Sequence, residues 1–214
     1  MSTLLEEIKA YKEVFKQKAP EEKQRLMAQA TKELEESGVA KGLTVGERVP
    51  DFTLPDATGK MVSMKEELEK GPVILTFYRG GWCPYCNLEL KAYQRELDAI
   101  QNAGATLIAI SPQTPDASLS TKEKNELEFL VLSDESNQVA EQFNLVFKMP
   151  DYLVEIYKDS GLMVSDHNGN GDWELPKPAT FVIDQTGNIV FADVDSDYTK
   201  RVEPGKVIDV LKSI

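Results

Sequence analysis

Apolar residues recur at spacings of three and four near the start of the chain and in near-continuous runs farther on. Leu4, Leu5, Ile8, Tyr11, Val14 and Phe15 form one stripe, which predicts an amphipathic helix over about residues 3–18. Pro20 suits the start of a second helix reaching about residue 37, with Leu26, Met27 and Leu34 on it, and Ser37-Gly38 ends it. The two make a helical hairpin. Its stripe has two readings: packing on the protein's own body, or a surface for a second copy or another partner.

From Leu43 the period changes. Val49 to Pro55 reads as a short extended segment, Asp56 to Lys60 as a turn, and Met61 to Met64 as the returning arm of a β-hairpin. A short helix over Lys65–Lys70 precedes Gly71-Pro72. Val73 to Tyr78 is a continuous apolar run, the pattern of a strand buried on both faces. A helix follows over about residues 84–102, then a buried strand over Ala105–Ser111 and a polar, helical stretch over 113–126. Phe129–Leu132 predicts a strand, and Asp134–Phe143 a helix capped by Ser133 or Asp134. Asn144 to Ser160 is ambiguous between classes. Strands over Thr180–Asp184 and Ile189–Val194 flank a Gln185–Asn188 turn, and Pro204 to Ile214 closes the chain as a helix. Strands alternating with helices predict an α/β layered domain over residues 41–214, preceded by a helical extension over 1–40.

Charge narrows the partners. The formal net charge is −12, which argues against nucleic acid. The first forty residues are nearly balanced, so the acidity belongs to the main domain. No run approaches the ~18 apolar residues of a membrane span. The N-terminus has neither the basic nor the apolar region of a signal peptide, and the expected compartment is the cytoplasm.

The candidate chemistry lies between the first buried strand and its helix, in Arg79-Gly80-Gly81-Trp82-Cys83-Pro84-Tyr85-Cys86. These two cysteines are the only ones in the chain. Two thiols one turn apart at a helix N-terminus can close a small disulfide, and the free N–H groups there favour a thiolate. Redox chemistry is the leading reading. A zinc site is disfavoured, because two cysteines and the lone His167 do not complete a tetrahedral set. Asp166 to Gly171 begins like a calcium loop, but Lys177 stands where its bidentate acid belongs, so a plain turn reads better. Asp193, Asp195 and Asp197 read as a solvated edge. No cofactor and no metal are expected.

Cys83-Pro84-Tyr85-Cys86 is similar to the glutaredoxin motif. A broader resemblance covers about residues 43–214. Leu43 to Asp56, Gly59-Lys60, Ile110-Ser111-Pro112, Leu132-Ser133-Asp134 and Thr180 to Gly187 resemble the peroxiredoxins of the alkyl hydroperoxide reductase and thiol-specific antioxidant family. The resemblance implies a thioredoxin-like fold with an N-terminal β-hairpin extension, and a peroxidase recycled by thioredoxin or a glutathione-type reductant. The family carries Pro-x-x-x-Thr-x-x-Cys followed by x-x-Glu. Its peroxidatic cysteine falls on Cys86 and its glutamate on Glu89, whereas Cys83 replaces the threonine and Arg79 the proline. The family's arginine just before the late strand is missing. Pro178 lies there, in a segment that looks like the cis-proline segment of thioredoxins. The resemblance therefore implies Cys86, Cys83 and Arg79 as catalytic residues. Trp82, Tyr85, Glu89, Trp173 and Pro178 are the candidates for the substrate pocket. Either sulfur could attack, and either a peroxide or a protein disulfide could be the target. A homodimer and a redox-sensing interaction protein are further expectations.

Overall fold

In a computed structural model, which describes residues 2–214, the core is a five-stranded sheet. Two helices lead the chain, α1 (Leu4–Lys18) and α2 (Glu21–Ser37). The first is closed by a capping box between Thr3 and Glu6; the second ends at Gly38, whose φ of 66° is the left-handed cap glycine tolerates. A small hairpin, β1 (Thr53–Pro55) with β2 (Met61–Ser63), and α3 (Met64–Lys70) follow.

The body then alternates: β3 (Val73–Phe77), α4 (Pro84–Arg95), α5 (Leu97–Asn102), β4 (Thr106–Ser111), α6 (Pro115–Lys124), β5 (Leu130–Ser133) and α7 (Gln138–Gln142). The helix expected over 84–102 breaks at Glu96, where φ −102° and ψ 8° leave the helical region. The helix expected from Asp134 opens with a 3-10 turn, and the Asp134 carboxylate accepts from the N–H groups of Val139 and Ala140. The ambiguous stretch resolves into β6 (Val146–Lys148) and α8 (Asp151–Asp159), whose buried Leu153, Val154 and Tyr157 lie on one face. After α9 (Val164–Asn168) come β7 (Glu174–Pro176), β8 (Ala179–Ile183), β9 (Ile189–Val194) and α10 (Pro204–Leu211).

The sheet order is β5-β4-β3-β8-β9; β3, β4 and β5 are parallel, and β8 runs antiparallel to both its neighbours, β3 and β9. Along β3 the two-residue period divides the core. Val73, Leu75 and Phe77 face the layer that holds Phe143 and Phe181, while Ile74 and Tyr78 face the layer of α4, α5 and α10. Helix α1 packs into that second layer through Leu4 and Ile8, and α2 lies against α8. No helix among the described residues is long and apolar enough to cross a membrane.

Candidate active site

The sheet brings the cysteine segment to the C-terminal end of its central strand. Tyr78 N–H still bonds Ile110 O, and the chain then turns sharply through Arg79-Gly80-Gly81. Gly80 adopts φ 149°, and a Cβ there would strike the Trp82 indole; a Cβ on Gly81 would strike the Thr121 hydroxyl. Side chains are therefore excluded from both positions by space, and from Gly80 by conformation as well. Gly81 N–H donates to Gln113 Oε1 at 2.5 Å, and Asn87 Nδ2 donates to Gly81 O at 2.8 Å. These bonds fix the turn so that Cys83 is the N-cap of α4, Pro84 its first residue and Cys86 its third.

Both thiols are free and buried, Cys83 at 1% exposure and Cys86 at 0%. Their surroundings differ. Cys83 borders a cavity of about 150 Å³ shared with Tyr11, Phe15, Met27, Trp82 and Tyr157. Cys86 lies deeper, where Arg201 Nη2 donates to its sulfur at 3.4 Å. Burial alone would raise the Cys83 thiol. The hydrogen bond from Cys86 and the charges of Arg79 and Arg201 outweigh it and bring Cys83 down to about 6. Burial and the neighbouring Cys83 push Cys86 well above the ordinary thiol value. The arrangement favours the thiolate at the cavity wall and disfavours it at the sulfur behind.

Two buried guanidiniums set this asymmetry. Arg79 is 3% exposed, donates from Nη2 to Tyr157 Oη at 2.8 Å, and lies 4.5 Å from the Tyr198 ring centre and 5.0 Å from that of Trp82. Arg201 bonds Glu89 Oε2 at 2.6 Å and the carbonyls of Tyr198 and Lys200, each at 2.6 Å. Burial pushes the Glu89 carboxyl up to about 7 against the pull of Arg201.

The structure brings together Cys83, Cys86, Arg79, Trp82 and Tyr85, and sets Glu89 behind Cys86 rather than in a cavity. Trp173 lines neither the Cys83 cavity nor its larger neighbour; it packs with the α8 cluster, beneath Lys158. Pro178 lines the larger cavity, and its peptide bond is trans: the described residues contain no cis bond. The likeness to a cis-proline segment is thus corrected; the Lys177 N–H bonds Leu145 O, continuing the β6–β7 pairing up to this point.

Arg201, Tyr157 and Tyr198 are the residues the sequence did not reveal. Arg201 supplies a guanidinium at the Cys86 sulfur from beyond β9, replacing the arginine missing before β8. The sequence signal was the basic pair Lys200-Arg201 after the Asp193–Asp197 cluster.

Known proteins resemble this chain in sequence and in fold. The model of the AhpC/TSA family matches residues 45–192. Peroxiredoxin Bcp of Escherichia coli (strain K12) is 32% identical over 103 residues, which are 48% of this chain and 65% of that protein. The chloroplastic peroxiredoxin Q of Sedum lineare is 27% identical over 176 residues, 82% of this chain and 80% of its own. The crystal structure of peroxidoxin BcpB from Mycobacterium tuberculosis superposes with a TM-score of 0.64 at 23% identity, covering 80% of this chain and 98% of that one, which shows the shared thioredoxin-like fold. With the family model matching residues 45–192, well over half of its length, the chain belongs to the AhpC/TSA family.

Proposed function

We propose that the protein is a thiol-dependent peroxidase in which Cys83 attacks and Cys86 resolves. The observation that carries this is the contrast between the two sulfurs: the lowered thiol borders the cavity, and the raised one lies behind it. The Cys83 thiolate attacks the hydroxyl oxygen of a hydroperoxide; an S–O bond forms, the O–O bond breaks, and the departing alkoxide or hydroxide takes up a proton. Arg79 lines the same cavity and is the cation that acts most strongly on Cys83, so it stabilises this charge as it develops. The protonated Cys86 thiol then displaces water from the Cys83 sulfenic acid, giving the disulfide. An external dithiol of the thioredoxin type returns both thiols.

The test is peroxide loss and disulfide formation on mixing the reduced protein with hydrogen peroxide or an organic hydroperoxide. A second-order rate no greater than that of free cysteine would sink the reading. The pH profile carries a separate prediction. The rate rises as Cys83 ionises through about pH 6 and is level by neutrality. A rate still climbing toward pH 9 would assign the attack to a thiol that burial holds up, such as Cys86.

A second reading, thiol–disulfide exchange, draws on Cys83-Pro84-Tyr85-Cys86 with the lowered thiol first. A sulfur at 1% exposure beside a cavity of 150 Å³ favours a small hydroperoxide over a protein disulfide. Insulin reduction at a rate matching peroxide turnover would reverse that preference. In the favoured reading residues 1–40 act as a cover on the 41–214 body, with the cytoplasm as compartment. The exposed Leu5 and Val14 are the homodimer surface to be tested by light scattering.

A further inference from the structure

Beside the Cys83 cavity lies a larger one of about 370 Å³, in the range of ligand pockets, about 300–1,000 Å³. It lies between α2 and α8, and Met27, Ala30, Leu34, Phe147 and Leu153 give it a mainly apolar wall. Met27, Arg79, Tyr157 and Tyr198 border both cavities, so the two meet at the Arg79 guanidinium.

In a chain of net charge −12, this cavity is lined by three cations, Arg79, Lys148 and Lys177, against one carboxylate, Glu33. Glu33 is exposed and accepts from Tyr152 Oη at 2.6 Å. Arg79 is 97% buried by the complement of its 3% exposure, its Nε has no hydrogen-bond partner, and among the described residues no carboxylate pairs with it. Lys177, 4% exposed, donates only to the neutral Val39 O and Ser196 Oγ, each at 2.9 Å; Asp195 and Glu35 act on it from farther away. Burying a cation such as Lys177 with only neutral partners is costly, and the Arg79 guanidinium adds a second positive charge to the same wall, so the wall suits a carboxylate.

We propose that this cavity binds an anionic amphiphile: a carboxylate that meets Arg79 and Lys177, carried on an unbranched apolar chain that lies along α2. Taken with the peroxidase reading, on which this last step rests, a carboxylate-bearing organic hydroperoxide held here presents its O–O bond to Cys83 across the shared wall.

The test uses reduced full-length protein and a ligand that cannot turn over. Sodium decanoate titrated calorimetrically at neutral pH should bind saturably at one site, about tenfold or more tighter than decan-1-ol, as a charge-assisted bond predicts. Ala30→Trp fills the apolar wall and should weaken decanoate about tenfold or more. Because that variant could misfold, intermolecular NOEs from decanoate methylenes to the methyl groups of Leu34 and Leu153, which line this cavity and not the Cys83 one, provide a second readout on the unaltered protein. Absence of saturation, equal affinity for the alcohol, or NOEs confined to methyl groups outside this wall would each overturn the site. Binding requires no chemistry. Lost binding with intact peroxide turnover refutes this cavity alone, and binding without turnover refutes only the link to Cys83.

Discussion

Cys83→Ser should lower peroxide turnover by at least about three orders of magnitude, the scale on which loss of a nucleophile acts. Cys86→Ser should behave differently. It keeps the cavity thiol and the Arg79 charge, so it should consume one equivalent of peroxide and stop as a Cys83 sulfenic acid, for want of the second sulfur. Trapping with dimedone and mass spectrometry reads the outcome directly. The family position argues for the opposite order, because the peroxidatic cysteine of the motif falls on Cys86. A sulfenic acid that accumulates on Cys86 in Cys83→Ser, with none in Cys86→Ser, would establish that order. The physical case for Cys83 is access and charge: Cys86 is fully enclosed, and burial with its neighbour keeps it protonated.

The second large effect is on stability. Arg201→Leu should destabilise the fold by about 3–5 kcal/mol, the cost of leaving one member of a buried ion pair unpaired. For a chain of this length that is a fall of about 6–20 °C in Tm. Glu89 and Arg201 are 2% and 3% exposed at their side chains, so solvent screens neither. The sign with pH follows from Glu89. Its carboxyl already lies at about 7, above the unfolded value, and loss of Arg201 raises it further. The variant must then ionise a buried acid or hold a proton that the unfolded chain has released. Its deficit should be larger at pH 8 than at pH 6. Adding Glu89→Leu should recover at least half the loss. A loss below about 1 kcal/mol at pH 8, on the scale of exposed pairs, would show that the pair contributes little.

The parts of the fold legible in the sequence are those whose cause is local. The run Val73–Tyr78 could only be a central strand, and Gly80-Gly81 ahead of a Cys-x-x-Cys pair could only be a tight entry into a helix. The stripe of α1 left two readings open, and the structure divides it: Leu4 and Ile8 pack on the body while Leu5 and Val14 stay exposed. What stayed hidden depends on distance along the chain. Arg201 reaches Cys86 from 115 residues away, and Tyr157 reaches Arg79 from 78 away. No local pattern marks either residue. The burial of Arg79 was equally hidden, because it is produced by Trp82, Tyr157 and Tyr198 closing around it, two of them far along the chain. Trp173 misled for the converse reason: it neighbours Pro178 in sequence, yet β7 holds it among the residues of α8.

The carboxylate of Glu203, the residue just before α10, accepts from the first two N–H groups of α1, Leu5 at 2.7 Å and Leu4 at 3.3 Å. With Leu4 at 1% exposure, the opening turn of α1 is pinned, whereas Val14, one turn before its far end, is 45% exposed. The hairpin is thus clamped at two points, at residue 4 by Glu203 and beyond the Ala19-Pro20 bend by α2 on α8, where Lys23 Nζ donates to Ser160 Oγ at 2.7 Å. A reductant too large for the cavity would gain the sulfurs only by giving up the second clamp together with the Tyr11–Tyr85 edge contact, while the anchor at Glu203 stays whole.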